Sequence, residues 1–158
     1  MIVSVFDPGG HTGFLHAEIF DDNTFKLLEY GYFFESDRVD DLIKVSDLVV
    51  SERITLSGVK GFNPVGIEVM GAIKQYCRFY NVPLQWQSPS FMQAALRWGV
   101  VDPKEFKSEH PKDALCHFVM FLRRSERLPD PKAEGVSFSV KGVPYYKGDK
   151  TQFNPLIR

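Results

Sequence analysis

Hydrophobic and polar positions alternate in blocks that set out a mixed sheet. Ile2–Phe6 is a short β-rich apolar run, stopped by Asp7-Pro8-Gly9-Gly10, and proline with paired glycines is strong turn punctuation. The pattern resumes at Thr12 and runs through Phe20, predicting a second strand. Asp21-Asp22-Asn23 is a hairpin turn, and the aromatic-rich Phe25–Phe34 a third strand. Ser36-Asp37 can cap a short helix reaching about Lys44. Leu48–Ile54 is a fourth strand whose apolar start suits a central position. Thr55–Asn63, with Gly58, Gly61 and Asn63, reads as an exposed loop. Pro64 then opens a helix whose Ile67, Met70, Ile73, Tyr76 and Cys77 recur at helical spacing up to Tyr80-Asn81. Val82–Gln87 is a fifth strand. Ser88-Pro89-Ser90 leads into a helix ending near Trp98, with Gly99 as its cap. Residues 102–108 are polar and read as a loop or short helical turn. A last helix starts at Pro111 and buries Ala114, Leu115, Phe118, Val119, Phe121 and Leu122. Val136–Val140 and Val143–Tyr146 suit a small hairpin.

The order βββαβαβα predicts an α/β fold. Three strands form an antiparallel meander, and strands four and five, reached through helical crossovers, lie parallel to strand one. At 158 residues the chain is expected to form one domain, with roughly two-thirds of its unfolded surface buried. No apolar run approaches the roughly 20 residues of a membrane span. The start, MIVSVFDPGG, lacks the marks of a secretory signal, so a cytoplasmic location is expected. Cys77 and Cys116 form no CxxC pair and read as reduced, buried thiols.

Charge changes this picture. The net is −1, yet residues 1–57 hold 4 basic against 11 acidic groups, and residues 58–124 hold 9 against 5. An acidic half joined to a basic half suits a protein that binds cations with one part and a polyanion with the other. Variation of a solvated surface gives the same numbers.

Ligands of such sheets gather at the carboxyl ends of the parallel strands. Asp7 ends strand one there, and Glu52 lies toward the end of strand four. Asp113 falls in the first turn of the last helix, three residues after His110 and four after Glu109. Together these residues can hold one or two divalent cations. Mg²⁺ takes few carboxylates plus waters and phosphates, and two ions roughly 4 Å apart can activate water against a phosphodiester. Each residue also has a plainer use. Asp7-Pro8-Gly9 makes an ordinary turn, Glu52 can pair with Arg53 or Arg38, Asp113 favours the helix dipole, and His110 can cap the helix.

These residues, in this order, resemble the RuvC family of Holliday junction resolvases. Strand one running into Asp7-Pro8-Gly9, with Thr12-Gly13 opening strand two, is similar to that family's start. Val49-Val50-Ser51-Glu52-Arg53 resembles its second acidic motif, and His110-Pro111-Lys112-Asp113-Ala114-Leu115 its C-terminal one. The resemblance covers residues 1–124, taken as the nuclease domain, and leaves 125–158 as an extension packed on it. It implies an RNase H-like fold with a five-stranded sheet. It also implies a metal-dependent endonuclease, active as a homodimer, that makes paired nicks in four-way or other branched DNA. Compact length and the His-x-x-Asp form point to a bacteriophage-type member working in a bacterial or phage-infected cell.

Asp7, Glu52, His110 and Asp113 would be the catalytic ligands of Mg²⁺ or Mn²⁺, with two ions per site. His110 replaces an acidic residue of the family, and Glu109 stands in reserve. The basic part supplies Lys60, Lys74, Lys104, Lys107, Lys112, Arg123 and Arg124 for phosphates. Phe62, in the Gly58–Asn63 loop, is expected to stack on an unpaired base as a wedge, as the family's comparable aromatic implies. Other readings are a related nuclease for flaps or RNA–DNA hybrids, and a junction-binding protein without catalysis. A sugar-kinase phosphate loop at Asp7–Gly13 would need a second domain.

Overall fold

The computed structural model describes residues 1–21, 24–34, 36, 38–54, 64–97, 109–125, 136–138 and 144–146. Strands β1 (Ile2–Asp7), β2 (His11–Ile19) and β3 (Phe25–Phe34) form the meander, followed by α1 (Val39–Ile43) and β4 (Leu48–Glu52). Helix α2 (Pro64–Phe79) leads to β5 (Leu84–Gln87), and α3 (Ser90–Arg97) and α4 (Glu109–Arg124) follow. Strands β6 (Val136–Phe138) and β7 (Pro144–Tyr146) pair antiparallel as a separate small sheet.

The main sheet has the order β3-β2-β1-β4-β5. β1 is antiparallel to β2 and parallel to β4, and β4 is parallel to β5. This is the mixed five-stranded sheet that the hydrophobic pattern predicts, flanked by helices in an RNase H-like α/β fold. Among the described residues no helix is long and apolar enough to cross a membrane.

Two apolar layers clamp the sheet because successive strand residues face opposite sides. Val3, Val5 and Val50 join Leu115, Phe118, Val119 and Leu122 of α4 in one core. Phe6 and Val49 join Val39 and Ile43 of α1 and Val69, Ile73 and Cys77 of α2 in the other. The first core places α4 against β1 and β2. From Ala114 to Leu122 every residue of α4 is buried, because the sheet covers one side of the helix and α3 another.

The ends of the elements have local causes. Asn81 adopts φ 55°, a left-handed conformation that asparagine tolerates. Val82 N–H donates back to Cys77 carbonyl at 2.8 Å, which closes α2 in a Schellman-type turn and aims the chain into β5. Helix α1 begins at Val39 after Arg38, with no side-chain cap. Helix α4 begins at Glu109, two residues before the expected proline start, so Pro111 sits in its first turn. Both cysteines are buried free thiols.

Candidate metal centre

Asp7 and Glu52 occupy the carboxyl ends of the parallel neighbours β1 and β4. Odd residues of β1 and even residues of β4 face α4, as Val5 and Val50 do. Both carboxylates therefore face α4. That helix is brought close by Gly13, the register partner of Asp7 on β2. A Cβ at Gly13 would lie 2.1 Å from the backbone oxygen of His110, so only glycine permits this approach. One and two turns farther along α4 stand Asp113 and His117.

His117 is the residue that completes the cluster. Single ligand atoms of Asp7, Glu52 and His117 all lie within 4.8 Å of one another. Nε2 of His117 is 2.9 Å from Oε2 of Glu52, and its Nδ1 is 2.8 Å from Oε1 of Gln87. Gln87 is the register partner of Glu52 on β5. With Nδ1 donating to the Gln87 side-chain carbonyl, Nε2 points at the two carboxylates and shares a proton with Glu52 that a cation there would displace. That is the orientation a metal-bound histidine takes from its outer hydrogen bond.

The electrostatics favour a cation here. Burial, then the charges of Glu52 and Asp113, push the Asp7 carboxyl up to about 8. Burial also raises Asp113, against the lowering influence of Lys112. Oδ1 of Asp113 is buried and accepts no well-formed hydrogen bond, although Lys112 Nζ stands 3.5 Å away. Crowded, desolvated carboxylates facing an imidazole nitrogen make a donor set for a hard divalent cation with one nitrogen ligand. The residues present fit Mg²⁺ or Mn²⁺.

The other expected site residues fall elsewhere or outside the described residues. His110 turns to the start of the meander, where its ring lies 5.2 Å from His11 and 5.6 Å from Tyr32. Glu109 is exposed and 4.0 Å from Lys112. Neither these two nor Asp113 belongs to the convergent group of Asp7, Glu52 and His117, although Asp113 is near enough for its charge to raise Asp7. Arg38 pairs with Glu29, so the partner of Glu52 is His117 and not Arg38. Lys112 is largely buried between Glu109 and Asp113, while Lys74 is exposed on α2. Lys60, Phe62, Lys104 and Lys107 lie outside the described residues.

His117 carried a signal in the sequence. It follows Asp113 by four positions and His110 by seven, so all three share one helical stripe. Its flanks, Cys116 and Phe118, disguise it as a core residue.

No protein-family model matches the chain, and no curated protein matches it in sequence. Solved structures do resemble it. Thermus thermophilus RuvC aligns at 17% identity and a TM-score of 0.59, over 80% of this chain and 98% of that one. The same values hold for T. thermophilus RuvC in complex with a Holliday junction substrate. The yeast mitochondrial Holliday junction resolvase Ydc2 aligns at 11% identity and a TM-score of 0.51, over 79% of each chain. At such identities the likeness is one of fold: this chain has the fold of the RuvC-type resolvases.

Proposed function

We propose that this chain is a metal-dependent endonuclease for branched DNA, with four-way junctions as its preferred substrate and a homodimer as its working form. The observation that carries the reading is the convergence of Asp7, Glu52 and His117, with the half-buried Asp113 carboxylate next to them. The site lies at the strand ends where such sheets bind ligands. The fold shared with two Holliday junction resolvases supports the choice of substrate.

In this reading Asp7, Glu52, Asp113 and His117 hold Mg²⁺ or Mn²⁺, two ions when the site is full. We assign the imidazole ligand to His117 and give His110 a place beside the site. The metal supplies an activated water and charge neutralisation at the phosphodiester. The protein's own share is placement. Glu52 and Asp7 fix the anionic walls, Gln87 holds the proton of His117 on Nδ1, and Lys112 neutralises Asp113 until a cation arrives. The nuclease domain spans residues 1–124, and residues 125–158 extend it. Lys60, Lys74, Lys104, Lys107 and Lys112 are proposed to meet phosphates, with Phe62 as the junction wedge.

The test is incubation with a labelled four-way junction, a flap, a linear duplex and an RNA–DNA hybrid, with and without Mg²⁺ or Mn²⁺. Symmetric paired nicks in the junction, only with metal, are expected. Preferential cutting of the flap or hybrid would move the substrate and keep the metal centre. Tight junction binding without cleavage under either metal would leave a binding protein and remove the nuclease reading.

A further inference from the structure

A cationic groove runs along the free edge of the sheet, on the face opposite the metal centre. Two adjoining cavities of about 470 and 330 Å³ lie between α2 and β5, a third of about 250 Å³ lies at the end of β5 between Arg53 and Pro89, and Trp86 lines all three. Gln87 faces α4, so its neighbour Trp86 faces α2. Lys74 joins the first cavity to the second, and Arg53 the second to the third, while Arg78 lines the first. Among the described residues no carboxylate lines any of the three. Among the described residues none of these cations is in an ion pair with a carboxylate.

Lys74 and Arg78 stand one turn apart on one side of α2, and both are exposed. Like charges at that spacing repel and weaken a helix slightly, so their alignment costs stability unless an anion lies between them. At Gly71, one turn earlier, the space beside the helix is open, since a Cβ there would meet nothing within 4 Å. The groove ends at Arg53, the residue after Glu52, whose N–H donates to the Gln87 carbonyl at 2.8 Å. It therefore reaches the same carboxyl end of the parallel strands as the metal centre.

We propose that this groove holds an unpaired strand of the nucleic-acid substrate, its phosphates on Arg53, Lys74 and Arg78 and one base stacked on Trp86. Charge complementarity selects a polyanion. An aromatic set among cations selects a single strand, because duplex bases offer no free face. The proposal rests on the nuclease reading for its substrate, and it adds a track that separates a splayed strand from the duplex arms.

The experiment measures binding in EDTA, where cleavage cannot interfere. A labelled oligothymidylate of about 16 nucleotides is titrated against the full chain and followed by anisotropy. Lys74→Glu and Arg78→Glu are each expected to weaken binding about tenfold at low salt. A neutralising Arg78→Gln should lower the slope of log affinity against log salt by about 0.7. In a Trp98→Phe background, Trp86 is the remaining tryptophan, and its fluorescence should be quenched by the oligonucleotide. Unchanged affinity in both charge-reversed variants, or unquenched Trp86, overturns the proposal. So does a wild-type dimer that Arg78→Glu dissociates, for the groove would then be a contact between copies. Quenching and charge effects in a protein that cuts no DNA would keep the groove and remove the nuclease reading. Cleavage with an unresponsive groove would do the reverse.

Discussion

His117 is held through both ring nitrogens, and that double tether explains its weight in the site. Gln87 fixes one nitrogen and Glu52 meets the other, while the ring itself is fully buried. Replacing Gln87 with methionine keeps the volume but removes the acceptor. Metal affinity, read by Mn²⁺ calorimetry, should fall about 10–100-fold, as for other outer partners of ligating histidines. His117→Ala should abolish the binding heat altogether. Unaltered Mn²⁺ affinity in His117→Ala would remove this residue from the ligand set. Asp7 and Glu52 were legible in the sequence because a charge at the end of an apolar strand needs a reason. His117 was not, because an imidazole between Cys116 and Phe118 looks like packing until the strand ends facing it are known. His16 makes a contrasting case. It is buried, bonded to Ser4 at 2.8 Å, and faced by the Glu29–Arg38 pair. Burial, outweighing Glu29, holds it below the usual imidazole range. The unfolded chain therefore takes up a proton at His16 before the folded one does, and stability falls as pH drops below about 6.5. Urea midpoints near pH 5 and pH 7 should show the wild type losing more than His16→Gln, by less than about 1.4 kcal/mol per pH unit. Equal losses would assign the acid sensitivity to other groups.

Helix α4 carries two of the four proposed ligands, and its position depends on one missing side chain. Gly13 lets the helix start sit against β2, with the His110 oxygen where a Cβ would be. A methyl group there meets backbone, which cannot rotate away as a side chain can. Gly13→Ala should cost about 1–3 kcal/mol through overpacking, lowering the melting temperature by about 2–4 °C per kcal/mol. It should also move Asp113 and His117 away from β1 and β4, so that Mn²⁺ affinity falls with stability. A variant with unchanged melting temperature and metal affinity would mean that the helix start is not pinned there. The strands and α2 were readable from their own periodicity, because each buries a face of its own kind. The early start of α4 was not readable, since Glu109 and His110 show no apolar period. The polar Glu109-His110 start draws attention to the first turn, whereas the spacing Asp113-x-x-x-His117 carries the stripe one turn further.

The whole molecule divides its chemistry between the two faces of one sheet. Acidic side chains converge under α4, whereas cations without a carboxylate partner among the described residues border the groove beside α2, and the two meet at the Glu52–Arg53 step. The charge asymmetry along the sequence is of the kind such a division produces, although Arg53 lies in the acidic part and Asp113 in the basic part. It could not locate it, because Lys74, Arg78 and Arg53 come together only through the crossover that lays α2 against β5. Burial and neighbouring charge disfavour the ionised carboxylates of the metal-free protein, and a cation that stabilises them binds the folded chain alone. Mg²⁺ should therefore raise the melting temperature. At about 100 times its dissociation constant the linkage is worth about 2.7 kcal/mol, or roughly 5–10 °C for a chain of this size. Asp7→Asn should abolish this shift and junction cleavage together, since it removes a ligand. DNA affinity in EDTA should stay within about threefold of wild type, since phosphate contacts on the basic surface carry the binding. A full Mg²⁺ shift in Asp7→Asn would place the ion elsewhere. Loss of DNA affinity in the same variant would mean that the two faces are not independent, and that the carboxylate cluster itself shapes the nucleic-acid surface.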